Sequence, residues 1–113
     1  QNYGSSHPDH IAAGEAALSS VYPTARDRLT FPELLEEGFE PHKVREVWVM
    51  SRDDADHYNE ISEDDMNVAM KALAAHTSQV PPEAIERVIS WKKENGKKHN
   101  MEYAESFRTF TLR

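Results

Sequence analysis

Four residues near the start of the chain concentrate its chemical potential: His7-Pro8-Asp9-His10. If Pro8 opens a helix, a position where its missing N–H costs nothing, His7 and His10 fall three residues apart and can face one pocket. Imidazole nitrogens ligate divalent metals or carry protons near neutral pH, and an adjacent carboxylate can hold an imidazole in one tautomer or favour its charged form. Two His and one Asp suit a zinc-type centre. A catalytic zinc, however, takes three protein ligands plus an open position, which this segment alone does not supply comfortably. As bare spacing, the pair equally suits surface or helix-capping histidines. The other acidic cluster, Asp53-Asp54-Ala55-Asp56-His57, lacks a strand-to-helix context and reads as a solvated turn.

The elements that must position the pair follow from periodicity and punctuation. Ser5-Ser6-His7-Pro8 predicts a helix start, with the helix running to about Ser20 and ending at Tyr22-Pro23. A long excursion from Thr24 to Pro41 carries a short helix near Phe31–Leu35, closed by Gly38. Val44–Met50 is the best strand, apolar after Glu46 as suits a strand covered on both faces; a weaker one spans His57–Ile61. Ser62-Glu63-Asp64-Asp65 matches a capping box with Asp in place of Glu. Met66, Met70 and Leu73 follow at helical spacing as a core face. That helix ends around His76–Val80, before Pro81. Pro82 opens another, with Ile85, Val88 and Ile89 inward and Gly96 as its stop. The tail, Met101–Arg113, docks as a final short element. Trp48 and Trp91 are read as buried packing residues, and Tyr3 as a loop tyrosine that could meet a substrate.

Composition narrows the function classes. Leu, Ile, Val and Phe number 21 of 113 residues and mean hydropathy is −0.77, a lean supply for one small core. The chain therefore reads either as a marginal free domain or as a piece whose apolar faces something else covers. A net charge of −7 disfavours a nucleic-acid partner, since phosphate binding needs clustered Lys and Arg. The cluster Lys92, Lys93, Lys97 and Lys98 suits a helix end facing its own dipole. With no Cys, disulfides and thiolate metal sites are excluded. No apolar run reaches the roughly 18 residues of a membrane span, and a cytoplasmic location is the expectation. The chain starts without Met and with no element ahead of the motif, so it is expected to be part of a larger domain.

His7-Pro8-Asp9-His10-Ile11-Ala12-Ala13-Gly14 closely resembles the second motif of the LmbE-like family, N-acetylglucosaminyl deacetylases related to the GlcNAc-phosphatidylinositol (PIG-L) de-N-acetylases. The resemblance continues through Ala16-Ala17-Leu18, Val21-Tyr22-Pro23-Thr24-Ala25-Arg26-Asp27 and Pro41-His42-Lys43-Val44-Arg45-Glu46-Val47-Trp48. It resumes at Ala75-His76-Thr77-Ser78-Gln79 and Tyr103-Ala104-Glu105-Ser106-Phe107, and so covers nearly the whole chain in order. It implies an α/β fold: the carboxy-terminal part, residues 1–113, of one Rossmann-like three-layer α/β/α deacetylase domain whose amino-terminal half is absent. It also implies a divalent metal, usually Zn2+, and an N-acyl amino-sugar substrate. By the same resemblance His10 is a metal ligand, His7 stabilises the oxyanion and protonates the leaving amine, and Asp9 tunes His7. The resemblance further implies an amino-terminal His-Pro-Asp-Asp motif, with two more ligands and the catalytic carboxylate. These residues contain no such motif, so the chain alone is expected to be inactive.

The remaining candidates carry two readings each. His76 either supports the site or caps a helix end. Glu105 and Tyr103 either support the site or contact substrate, or, in the case of Tyr103 with Phe107, anchor the last element. The rival to the hydrolase is a non-catalytic interaction or scaffold module with a vestigial His pair, its apolar faces covered by self-association into a homo-oligomer.

Overall fold

In a computed structural model that describes residues 7–113, the chain is a mixed α/β protein. It divides into two compact units. One comprises residues up to Glu46 together with Leu112 and Arg113, and the other runs from Val47 to Thr111. The expected helix start at Ser5-Ser6 and the reading of Tyr3 lie outside the described residues.

In the first unit, α1 spans Pro8–Ser19, with Pro8 at its first position and His7 as its cap. The chain leaves helical geometry at Tyr22 (φ −153°, ψ 128°), beside a cis Tyr22–Pro23 peptide. Helix α2, Pro32–Glu36, ends as the sequence predicts. Gly38 takes φ +92°, its N–H donates to Leu35 O (3.1 Å), and Phe39 N donates to Leu34 O (2.9 Å). That pair of bonds satisfies two orphan carbonyls, and the positive φ they require is free of strain only without a Cβ.

The second unit holds β1 (Glu46–Met50, its first residue shared with the other unit), β2 (His57–Ile61), α3 (Glu63–Ala74), α4 (Pro82–Lys97) and β3 (Tyr103–Thr111). The three strands form one sheet in the order β1-β3-β2. β2 and β3 pair antiparallel, from His57 opposite Phe107 to Ile61 opposite Tyr103. Ser51 N donates to Ser106 O (3.1 Å) just beyond β1, and Leu112 N donates to Arg45 O (2.8 Å) just before it. Partner number falls as strand number rises, so β1 also runs antiparallel to β3. The tail expected to dock as a short element is thus the longest strand and the centre of the sheet. Its value lies in non-local pairing, which no local pattern displays.

Helix α3 opens with the serine half of the expected capping box: Ser62 Oγ accepts from Asp65 N (3.1 Å), while the Asp65 carboxylate takes the Ser62 hydroxyl (2.7 Å). Ser62→Ala should cost about 1 kcal/mol, measured by urea unfolding; an unchanged midpoint would show that the cap is redundant. Met66 on the inner face is buried, while Met70 is only half-buried. Among the described residues only Met66 and Ala104 are fully buried apolar side chains. Trp48 (42% exposed) and Trp91 (36% exposed) are not the buried residues the sequence predicts. Trp48 packs one face on His57 and Phe107, with ring centroids at 4.4 and 5.6 Å, and Trp91 lies under the Arg52 guanidinium at 4.1 Å. Ring contacts of this kind leave much of an indole accessible, which a count of apolar residues does not anticipate.

Gly96 corrects a second expectation. It does not stop α4 but sits buried inside its last turn, and Asn100 supplies the left-handed residue (φ 57°) that reverses the chain. Met101 N returns to Gly96 O at 2.9 Å, so the strand following the helix begins directly against this glycine.

Within the turn Asp53–His57, Asp56 ties the chain to β3. Asp56 Oδ1 accepts from Thr109 N (2.8 Å) and Thr109 Oγ1 (3.0 Å), and Arg108 lies 3.4 Å from Oδ2. The Thr109 N–H is the chief cause that holds the Asp56 carboxyl below its ordinary value of 3.8; burial opposes it, and the Thr109 hydroxyl and the Arg108 charge add to the lowering. A lowered folded value stabilises the fold above the unfolded value and loses that contribution as pH falls through the folded one. Stability should therefore drop on acidification below pH 3.8. Asp56→Asn should flatten that part of the urea-midpoint profile; an unaltered profile would rule out Asp56 as its source.

Candidate functional site

The pair singled out by the sequence is assembled by the start of α1. His7 has extended backbone (φ −61°, ψ 141°), and its Nδ1 accepts the Asp9 backbone N–H at 3.2 Å. It thereby satisfies one of the helix's four orphan donors with an imidazole instead of the usual hydroxyl or carboxylate. Pro8 follows with no N–H to satisfy, and Asp9 places negative charge in the first turn, where the helix dipole favours it. His10 lies one turn on; its backbone N–H donates to His7 O at 2.9 Å, and the two imidazole centroids are 6.2 Å apart, tilted by 53°. His7, Asp9 and His10 are all exposed.

Donor and acceptor counting defines what His7 can do. Because Nδ1 accepts a hydrogen bond, a neutral ring carries its proton on Nε2, which is then a donor facing outward. Asp9 Oδ2 stands 3.6 Å from Nδ1, placed to receive that nitrogen's proton when the ring is doubly protonated. The capping bond and the carboxylate contact thus address the same nitrogen.

As metal donors, these residues fit in kind. Imidazole nitrogen suits zinc and other first-row divalent ions, and His10 offers an exposed ring on a rigid first turn. They do not complete a site, because among the described residues no three His, Asp or Glu side chains gather closely enough to hold a metal ion.

His76, Tyr103 and Glu105 belong to the second unit. His76 is exposed in the turn after α3; its N–H donates to Leu73 O (3.1 Å), and its carbonyl accepts from Gln79 N and Val80 N. Glu105 on β3 pairs with Lys92 of α4 (2.7 Å), and Tyr103 lies beneath Lys93 Nζ at 5.6 Å. Those contacts tie α4 to β3. His57 Nε2 is buried without a hydrogen-bond partner.

The first unit also contains a cavity of about 660 Å³ with Arg26, His42, Lys43, Arg45 and Arg113 in its walls. Sequence reasoning missed it, because its cations come from three separated segments with no local signature. No helix among the described residues is long and apolar enough to cross a membrane. A scan against protein-family models and a search of curated proteins return no match to this chain.

Proposed function

We propose that this chain is the carboxy-terminal portion of an LmbE-like, metal-dependent N-deacetylase, acting in the cytoplasm on N-acetylglucosaminyl or similar N-acyl substrates. Its sheet and helices would join an amino-terminal half to complete a Rossmann-like domain. The observation that carries the reading is the His7-Pro8-Asp9-His10 turn. It opens a capped helix, exposes both imidazoles on one side of its first turn, and sets a carboxylate beside one of them.

His10 would hold the metal together with the ligands of the other half. The metal would supply a more acidic bound water and a polarised amide carbonyl. His7 does the work that belongs to this chain. Its outward Nε2–H donates to the oxygen that gains charge as the amide carbon turns tetrahedral. Protonated on both nitrogens, with Asp9 receiving the Nδ1 proton in a hydrogen bond, the ring can then pass a proton to the departing amine. Asp9 is a positioning residue, since it acts through His7.

The test is zinc content and amine release from an N-acetylglucosaminide, measured on the His10→Ala variant of the polypeptide that carries both halves. The reading expects both to be lost together. A variant that keeps its zinc and its turnover would overturn it.

A further inference from the structure

We propose that the 660 Å³ cavity of the first unit binds the phosphate group of a small phosphorylated molecule. Its walls come from the turn after α1, the segment leading into β1, and the last two residues. His42 N to Ala25 O (2.7 Å), Leu112 N to Arg45 O (2.8 Å) and Arg26 Nη1 to Arg113 O (3.2 Å) tie these three segments together. Four permanently charged side chains, Arg26, Lys43, Arg45 and Arg113, line this one concavity, with His42 beside them. Among the described residues no Asp or Glu lines it, in a chain whose net charge is −7. Elsewhere in the same unit a cation is neutralised conventionally, as Arg28 is by Glu40 at 2.9 Å.

Arg26 already donates to Arg113 O (3.2 Å), yet four cationic side chains leave this hollow with an excess of positive charge that a multiply charged anion would offset. Three of the four are Arg, whose planar fork matches phosphate oxygens two at a time. A carboxylate presents one charge and two oxygens; a phosphate monoester presents about two charges and three free oxygens, which suits a hollow lined by four cations better. The volume lies within the range of small-molecule pockets and exceeds what phosphate alone needs. The Tyr22 ring and the side chains of Val21 and Val44 give the attached group an apolar wall.

The carbonyl end of α1 opposes an anion, but it carries only about half a charge, and Ser20 N–H and Oγ already occupy Ala16 O. The cations prevail. A chain of net charge −7 suits an extended nucleic acid poorly. The cavity lies past the carbonyl end of α1, and His10 is about 14 Å from that end along the helix axis. The inference is thus independent of the deacetylase reading.

Amide-resolved NMR titration of the polypeptide that carries both halves with sodium pyrophosphate tests it. Shifts should map to residues 21–26, 42–45 and 112–113, and affinity should fall severalfold between about 20 and 200 mM NaCl as charges are screened. The double variant Lys43→Gln/Arg45→Gln should bind about tenfold or more weakly, with amide positions in the second unit unchanged. Should that variant fail to fold, the wild-type shift map decides. Shifts confined to the Lys92–Lys98 helix end, no saturable shifts at all, unchanged binding by a folded variant, or tighter binding of a single-stranded oligonucleotide than of pyrophosphate would each overturn the proposal. None of these outcomes depends on zinc or on hydrolysis.

Discussion

Substituting the two histidines of the opening turn should produce two different failures. His10→Ala, in the polypeptide carrying both halves, should release the metal and abolish turnover. His7→Ala should keep the metal and lose about 10²- to 10³-fold in kcat, the usual effect of removing one oxyanion donor. KM should move little, because the His7 donor is used chiefly when charge develops on the oxygen. The geometry separates the two roles. His7 Nδ1 is committed to the Asp9 N–H at 3.2 Å, leaving Nε2 as an outward donor, whereas His10 makes no such capping bond with its ring. His7→Ala also removes a helix cap at a cost of about 1 kcal/mol, so thermal unfolding must be followed alongside. His7→Asn separates the effects, since it retains a capping acceptor but cannot act as an acid. Full activity in His7→Asn would eliminate the acid role. Zinc loss in His7→Ala comparable to that in His10→Ala would make both residues ligands.

Gly96→Ala should destabilise the second unit, although helix propensity alone says the reverse. Alanine in a helix interior is favoured over glycine by about 1 kcal/mol. A Cβ at Gly96, however, would stand 2.5 Å from Met101 O and 3.0 Å from both Glu102 C and Glu102 O. All three atoms are backbone, so no rotamer change can relieve the contact. Met101 N is also bonded to Gly96 O, which fixes the chain where it clashes. Forced shifts in a packed region cost about 1–3 kcal/mol, enough to reverse the sign. The displaced segment leads directly into Tyr103 and the register of β3, so the loss should reach the β2–β3 amides in hydrogen exchange. A urea midpoint that rises in Gly96→Ala would show that the close approach is soft and that propensity governs the site.

The sequence was informative wherever structure depends on neighbours along the chain. Pro8, Pro32 and Pro82 each begin a helix because proline loses nothing at a first helical position. Ser62 caps α3 as its pattern indicates, and the His7–His10 spacing placed both rings on the opening turn of α1. Gly38 and Gly96 mark the boundary of that success. Both look like helix stops; only Gly38 takes the positive φ of one, while Gly96 is required by a backbone five residues on that folds against it.

Tertiary structure decided the rest, because the deciding partners are distant in sequence. Nothing local in Tyr103–Thr111 says that it lies between β1 and β2; that follows from pairings such as Asn59 with Glu105. The exposure of Trp48 and Trp91 depends on how little the surrounding elements cover them, which apolar periodicity does not measure. The basic cavity is the clearest case. Arg26, Lys43, Arg45 and Arg113 are scattered through an acidic chain, and only the ties between Ala25 and His42, and between Arg45 and Leu112, bring their charges together. Charge summed along a sequence is blind to such a concentration, because a Coulomb interaction depends on distance in space.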